Sequence, residues 1–367
     1  MGLLTSIPNN VLASIDGYIE NKLNKTVAAG VYVVRLNGDI DRFDNISNTP
    51  IQDAINSSIS PSTGLGDYVW CNNWNGSSVG KMEQNIVIRN YINMRFDGGN
   101  IFSDSTDNTP LFTDNGVRAS IVITGNPILG RYGGAGDNNR CVFKLDHSNS
   151  FIRSTSYMVL DSTLGSQNAI ISNGNMYLGG DNTIVGTIKA TNGIYYITSN
   201  RGTTGLNISG NSEFTYKGIC NTITKSGTGF LQYTGNNNIL GTITVDNGAA
   251  YFNNVVVSDT FVHNGGLCNF VNTAFDSGDL NYLFQNNGTA RFTSCTFNTG
   301  DSYNIYISTS TPIITIDNCK FIGAGVNSIF ANAAINIVNY NSYATINKNS
   351  NATLLVDNAL KIDANVR

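Results

Sequence analysis

The chain has 367 residues, of which 41% are hydrophobic and only 13% charged, and its formal net charge is −4. Lys and Arg are few and scattered, so there is no basic face for nucleic acid and no polybasic run for a membrane surface. Ile, Val, Phe and Tyr supply enough apolar surface to argue against disorder, while abundant Asn and 38 Gly announce many sharp corners.

The six cysteines, Cys71, Cys141, Cys220, Cys268, Cys295 and Cys319, lie far apart and form no C-x-x-C pair and no Cys/His cluster. That argues against a disulfide-stapled miniprotein and against zinc, and no metal or cofactor is expected. Met1 to Pro8 lack the basic start and apolar run of a signal peptide, and no stretch has the length of a membrane-spanning helix. Gly2 with Ser6 fits the N-myristoylation pattern, a loose motif read here as chance. The expectation is a soluble chain made in a cytoplasm.

In chain order, Ser6 can cap a helix with Pro8 in its first turn, and Val11, Leu12, Ile15, Ile19 and Leu23 then share one face. Residues 1–25 are therefore expected as a helical segment. It either packs across an open end of the remaining chain or serves as an anchor or oligomer seam. Residues 26–49, with Val31-Tyr32-Val33-Val34 and Asn37-Gly38-Asp39, predict a β-hairpin linker. Residues 50–84 form a capping segment, with a short helix over Ile51–Ile55. Strands are expected at Asp67–Cys71 and, opening the next unit, at Asn85–Ile88. Between 95 and 165 the pattern is less regular, and Gly130–Arg140 is its least regular stretch. No G-K-[ST] follows these glycines, so a phosphate loop is not expected. Arg131, Tyr132 and Arg140 are the candidates there for contact with a partner or glycan.

From about residue 170 the chain repeats. Met176, Tyr195, Phe214, Tyr233 and Phe252 follow at a constant spacing of 19, and Phe270, Phe292, Ile316 and Val338 continue the series at 18, 22, 24 and 22. Asn-Gly corners such as Asn192-Gly193 and Asn247-Gly248 precede many of these marks. Apolar alternation within a repeat has the period of two expected for strands, as in Ile239–Val245. A repeat of this length, rich in β-branched and aromatic residues, specifies a β-solenoid, because one coil cannot bury its inward face alone. The fold class is therefore all-β: a right-handed single-stranded parallel β-helix over 85–367, of twelve to fourteen coils. Met176, Tyr195, Phe214, Tyr233 and Phe252 are expected to point inward as one stack. Tyr196, Tyr216 and Tyr251, which flank it, are candidates for an exposed strip. Asn254, Asn272 and Asn318 suggest an asparagine ladder at one corner, with Ser294 between them. Cys295 and Cys319, each three residues past a mark, are expected to be neighbours on adjacent coils and to remain free thiols.

Chemistry is sparse. Glu occurs only at 20, 83 and 213, which argues against a Glu-based glycosidase pair. Asp97, Asp104, Asp107, Asp137, Asp146 and Asp161 are the acids from which a pair could come; the alternative is that they cap turns. His147 and His263 are expected at the surface or at corners.

Two stretches carry a family resemblance. Lys225-Ser226-Gly227-Thr228-Gly229-Phe230, through Gly235-Asn236-Asn237 and Gly241-Thr242-Ile243, to Asn247-Gly248, resembles the passenger repeat of bacterial autotransporter adhesins. Thr49-Pro50-Ile51-Gln52-Asp53-Ala54-Ile55-Asn56 resembles the helix that opens pectate-lyase-like β-helices, including phage tailspikes and head-fibre-type proteins. The signal peptide and terminal barrel expected of an autotransporter are not seen, nor are the G-H-G and clustered Asp of the polygalacturonases. What the resemblance then implies is a virion fibre or spike that decorates a phage-like particle and binds a host surface or glycan. Such a protein is non-enzymatic, trimeric, and attached to a capsid or tail protein through its N-terminus. The alternative is a tailspike-like polysaccharide depolymerase. Its location would be the virion, or alternatively extracellular, with neither nucleic acid nor membrane as partner.

Overall fold

The structure, a computed structural model, describes residues 27–59, 66–76, 85–89, 92–103, 109–131, 140–154, 156–162, 168–299, 303–308, 311–323, 327–332, 335–340, 346–348 and 354–356. Val11, Leu12, Ile15, Ile19 and Leu23 lie outside these residues.

The chain is a parallel β-solenoid with three faces. Strands of the first face stack from Tyr68–Asn72 through Asn93–Asp97, Ser120–Ile123 and Phe151–Ser154 up to Ile335–Tyr340 and Leu354–Val356, each in parallel register with the next. The second face runs from Asn100–Ser103 to Lys320–Gly323, and the third from Ile86–Val87 to Ile346–Lys348. The first parallel strand thus precedes the expected start at 85. About ten turns close on all three faces. The first and third faces, with fourteen and thirteen described strands, reach the twelve to fourteen coils expected from the repeat, and the second, with eleven, does not.

The inward side chains form continuous columns. Met176, Tyr195, Phe214, Tyr233 and Phe252 are all buried, as their common spacing demands, but they do not form one column. Tyr195 pairs with Met176 and with Phe214, whereas Phe214 pairs with Leu231, and Tyr216 pairs with Tyr233. One coil is two residues shorter than its neighbours, and the series crosses there from one inner column to the next. A shift of two keeps every side chain on the same face of a strand, so burial survives the slip. Beyond the crossing the rings stack: Tyr233 on Phe252 at 6.1 Å, Phe252 on Phe270 at 5.1 Å and Phe270 on Phe292 at 5.0 Å between centroids. Phe275, Phe297 and Phe321 make a parallel stack from the second face, at 4.7 and 4.9 Å. The last mark is displaced: Ile314 pairs with Ile337, and half-buried Val338 is level with Thr315.

The bend between the first and second faces requires a left-handed residue. Asn254 (φ 55°), Asn272 (φ 48°), Ser294 (φ 51°) and Asn318 (φ 50°) supply it in successive coils. Asn tolerates this region because its amide bonds locally, and Asn318 Nδ2 also donates to Ser294 Oγ at 3.4 Å. One residue on, Cys295 and Cys319 are level on adjacent coils, since Thr293 pairs with Asp317 and Thr296 with Lys320. All six cysteines are buried free thiols. The opposite corner runs through glycine. At Gly248 (φ 78°) an added Cβ would lie 2.5 Å from the Gly229 carbonyl, too close for any side chain.

At the N-terminal end the sheet edge is covered. Gly30–Val34 adds antiparallel to Tyr68–Asn72, and Ile40–Arg42 folds back on it as a hairpin. Helix α1 (Pro50–Ser57) starts with Pro at its first turn and buries Pro50, Ile51, Ala54 and Ile55. Its Gln52 amide stands in for the missing strand beneath Ile86–Val87: Val87 N–H donates to Oε1 at 2.7 Å, and Nε2 donates to the Val87 carbonyl at 3.2 Å. Arg89 reaches back to the Asn56 and Ser58 carbonyls at the helix C-terminus.

Two stability measurements follow from this geometry. Gln52→Ala removes both partners of the Val87 backbone and should cost about 1 kcal/mol, read as a lower thermal midpoint. Ser294→Asn places the better left-handed residue between Asn272 and Asn318 and should raise stability by about 0.5 kcal/mol.

Candidate binding surface

Outward side chains of the first face form a single file along the axis. Arg95 is level with Val122, Val122 with Arg153, Arg153 with Tyr177, and Tyr177 with Tyr196. Thr215, Gln232, Tyr251, Asn269 and Arg291 continue it. Successive rungs are ~4.8 Å apart. Tyr177 and Tyr196 stack at 5.0 Å with an interplanar angle of 12°, and Phe230 packs on Tyr251 at 5.0 Å. Tyr177 is 37% exposed and Ile194 beside it 38%. Because the tyrosine rings cover one another, they offer edges and hydroxyl groups to the outside and little free ring face. Arg291 and Gln232, both exposed, add polar groups in the same file.

The strip expected from the sequence is corrected at one position. Tyr216 is wholly buried, donates its hydroxyl to the Ile219 carbonyl at 3.0 Å, and packs at a tilt on Tyr233. It occupies the inner column that the two-residue slip opens, and burial pushes its phenol upward in pKa. Tyr177 and Phe230 take the outward places instead. Each sits next to an inward residue, Met176 and Leu231, and strand alternation alone identifies Tyr177 once the register is known.

Of the candidate acids, Asp97 is the one most firmly committed to structure. Asp97 accepts from Trp70 Nε1 at 2.6 Å, from Arg95 Nε at 2.9 Å and from Thr124 Oγ1. It lies at the edge of an open cleft of about 550 Å³ lined by Asn73, Arg95, Gly98, Gly99, Thr124, Gly125 and Asn126. Asp161 lies on the second face, and Asp146 follows a strand of the third, with Lys144 Nζ at 3.5 Å. These three acids stand on different sides of the solenoid and do not share a cleft. Asp104, Asp107 and Asp137 lie outside the described residues. Asp114, not singled out from the sequence, is buried and accepts from the Gly116, Asp146 and His147 N–H groups and from Ser150 Oγ, tying two coils together.

Arg131 is wholly buried and donates Nε to the Thr109 carbonyl at 2.9 Å; Arg140 is only 6% exposed. The exposed contact expected at these two arginines is therefore corrected, and Tyr132 lies outside the described residues. His147 is half-buried, and its Nδ1 accepts from Asn149 N–H at 3.0 Å. His263, expected at the surface or a corner, is instead wholly inside the core. Alternation explains it: Phe261 and His263 both point inward from one strand. Lys225, two rungs below in the same column, is also wholly buried. Among the described residues no three His, Cys, Asp or Glu side chains are placed to hold a metal, and no helix is long and apolar enough to cross a membrane.

Asp97→Ala would strip Arg95, Trp70 and Thr124 of their common acceptor; the expected loss is about 3 kcal/mol in chemical unfolding. Compared with protein-family models, with curated proteins and with solved structures, the chain matches none.

Proposed function

We propose that the chain is a non-enzymatic fibre of a phage-like particle, which binds a host-surface glycan along the outer side of its first face. The observation that carries the reading is the file of outward residues with Tyr177, Tyr196, Gln232, Tyr251 and Arg291 in register. It is a straight, repeating array of hydroxyl, amide and guanidinium groups that suits an extended polymer with its own short repeat. The rod form supports it, since fourteen first-face strands at ~4.8 Å give a length on the order of 60 Å. The use of Asp97 and Asp114 as structural acceptors supports a binding role over hydrolysis.

In the same reading the protein is a trimer, attached to a capsid or tail protein through residues 1–25, where Val11, Leu12, Ile15, Ile19 and Leu23 share one side of the predicted helix. Its place is the virion.

The test is incubation with host capsular and surface polysaccharides. Expected are saturable binding and no release of oligosaccharide. The double substitution Tyr177→Ala, Tyr196→Ala should weaken binding roughly tenfold without lowering the thermal midpoint markedly. Release of shortened chains would replace the reading with a depolymerase, and a stable monomer by light scattering at micromolar concentration would remove the trimer.

A further inference from the structure

The third face carries, inside the core, a file of residues that includes Ile208, Lys225, Val245, His263, Phe284 and Ile307. Lys225 and His263 are both wholly buried, one rung of valine apart. Lys225 Nζ donates to three backbone carbonyls, those of Ser226 (3.2 Å), Gly227 (2.9 Å) and Asn247 (3.2 Å). The contacts of this ammonium are with dipoles and not with a carboxylate.

His263 Nδ1 shares a hydrogen bond of 2.8 Å with the Tyr282 hydroxyl, and Nε2 lies 3.8 Å from Cys268 Sγ. Phe261 and Phe284 press on the ring, and a Cβ built on Gly288 would stand 2.5 Å from Nε2. No room for a counter-ion is left there. The titratable groups facing the imidazole are Cys268 from the first face, Tyr282 from the strand above and Lys225 from below. Asp246, on the coil below, is exposed and turned to Asn264 Nδ2 at 2.7 Å. A neutral imidazole needs one donor and one acceptor and finds them. An imidazolium has two N–H groups, and its second would face a thiol sulfur in a column that already holds a cation.

We propose that Lys225 and His263 together form an acid-sensitive latch in the middle of the solenoid: protonation of His263 adds a second buried cation to this column, and the coils between about residues 243 and 290 open.

Desolvation by burial holds His263 down to about 4, partly offset by the Gly265 and Gly266 backbone. An unfolded histidine titrates near 6.5. Opening therefore takes up a proton between these values: stability is full above ~6.5 and is lost as the pH falls toward 4. Because each coil touches only its neighbours, such an opening can stay local.

Hydrogen exchange on the full chain tests it. From pH 7 to pH 4.5, after correction for intrinsic rates, the opening equilibrium of peptides covering Phe261–His263, Leu267–Val271 and Tyr282–Phe284 should rise roughly 50- to 100-fold. Peptides of Ser120–Ile123 should change far less. In His263→Leu the rise should vanish, and in Lys225→Met it should shrink. A rise that is uniform along the chain, or one that persists in His263→Leu, overturns the latch. Should the variants fail to fold, the imidazole is followed by NMR in the native protein: titration near pH 4 supports the proposal, and titration above pH 6 overturns it.

Discussion

Each coil of this molecule satisfies its backbone only through the coils directly above and below. A single coil has three short strands with unpaired N–H and C=O groups on both edges, and its inward side chains have nothing to pack against. Stacking solves both problems at once, since the equivalent strand of the next coil supplies hydrogen bonds and the equivalent side chain supplies contact. The ends are then the places where the constraint must be met differently. At the N-terminal end the antiparallel strand Gly30–Val34 closes one edge. At another, the Gln52 side-chain amide donates to and accepts from Val87 as a further peptide group would.

The same constraint explains the corners and the tolerance of the interior. Stacked corners bring backbones together, so the turning residue must be left-handed and small or self-bonding. Glycine fills one corner and Asn254, Asn272 and Asn318 the other. Between corners the columns accept a change in coil length so long as the inward side stays inward. The crossing from Phe214 to Tyr233 shows this: the coil loses two residues, the backbone pairing moves to Leu231, and aromatic stacking resumes in the neighbouring column with Tyr233 on Phe252. Phe214 and Tyr216, 6.4 Å apart, bridge the two columns.

Polar side chains in such a rod are divided by the alternation of the strands. Those pointing out are in file, which makes the first face a repeating surface suited to a repeating ligand. Those pointing in must be satisfied within the core. Lys225 achieves this with three carbonyls, and His263 with Tyr282 and the nearby Cys268 thiol. Asp114 does the corresponding work inside with several donors, and Asp97, on the outward side, has its oxygens occupied by Trp70, Arg95 and Thr124. The proposed glycan contact and the proposed acid sensitivity are compatible in one molecule, because they use opposite sides of the strands.

The all-β solenoid class, the inward character of the aromatic series and a shared corner for Asn254, Asn272, Ser294 and Asn318 are legible in the linear pattern. All of these follow from local periodicity and backbone preference, which are properties of neighbouring residues. The same pattern also placed Cys295 and Cys319 level, because both are counted from marks only one coil apart. What it did not determine is which residue of one coil lies over which residue of the next. A spacing of 19 is equally consistent with one column or with two joined by a slip of two residues, and only the pairing of whole strands chooses. Local pattern places Tyr216 beside the inward series, His263 at the surface or a corner, and Arg131 and Arg140 in an irregular loop, all on the outside. The tertiary structure buried all four, since carbonyls, hydroxyls and neighbouring rings brought in from other coils meet needs that no local pattern reveals.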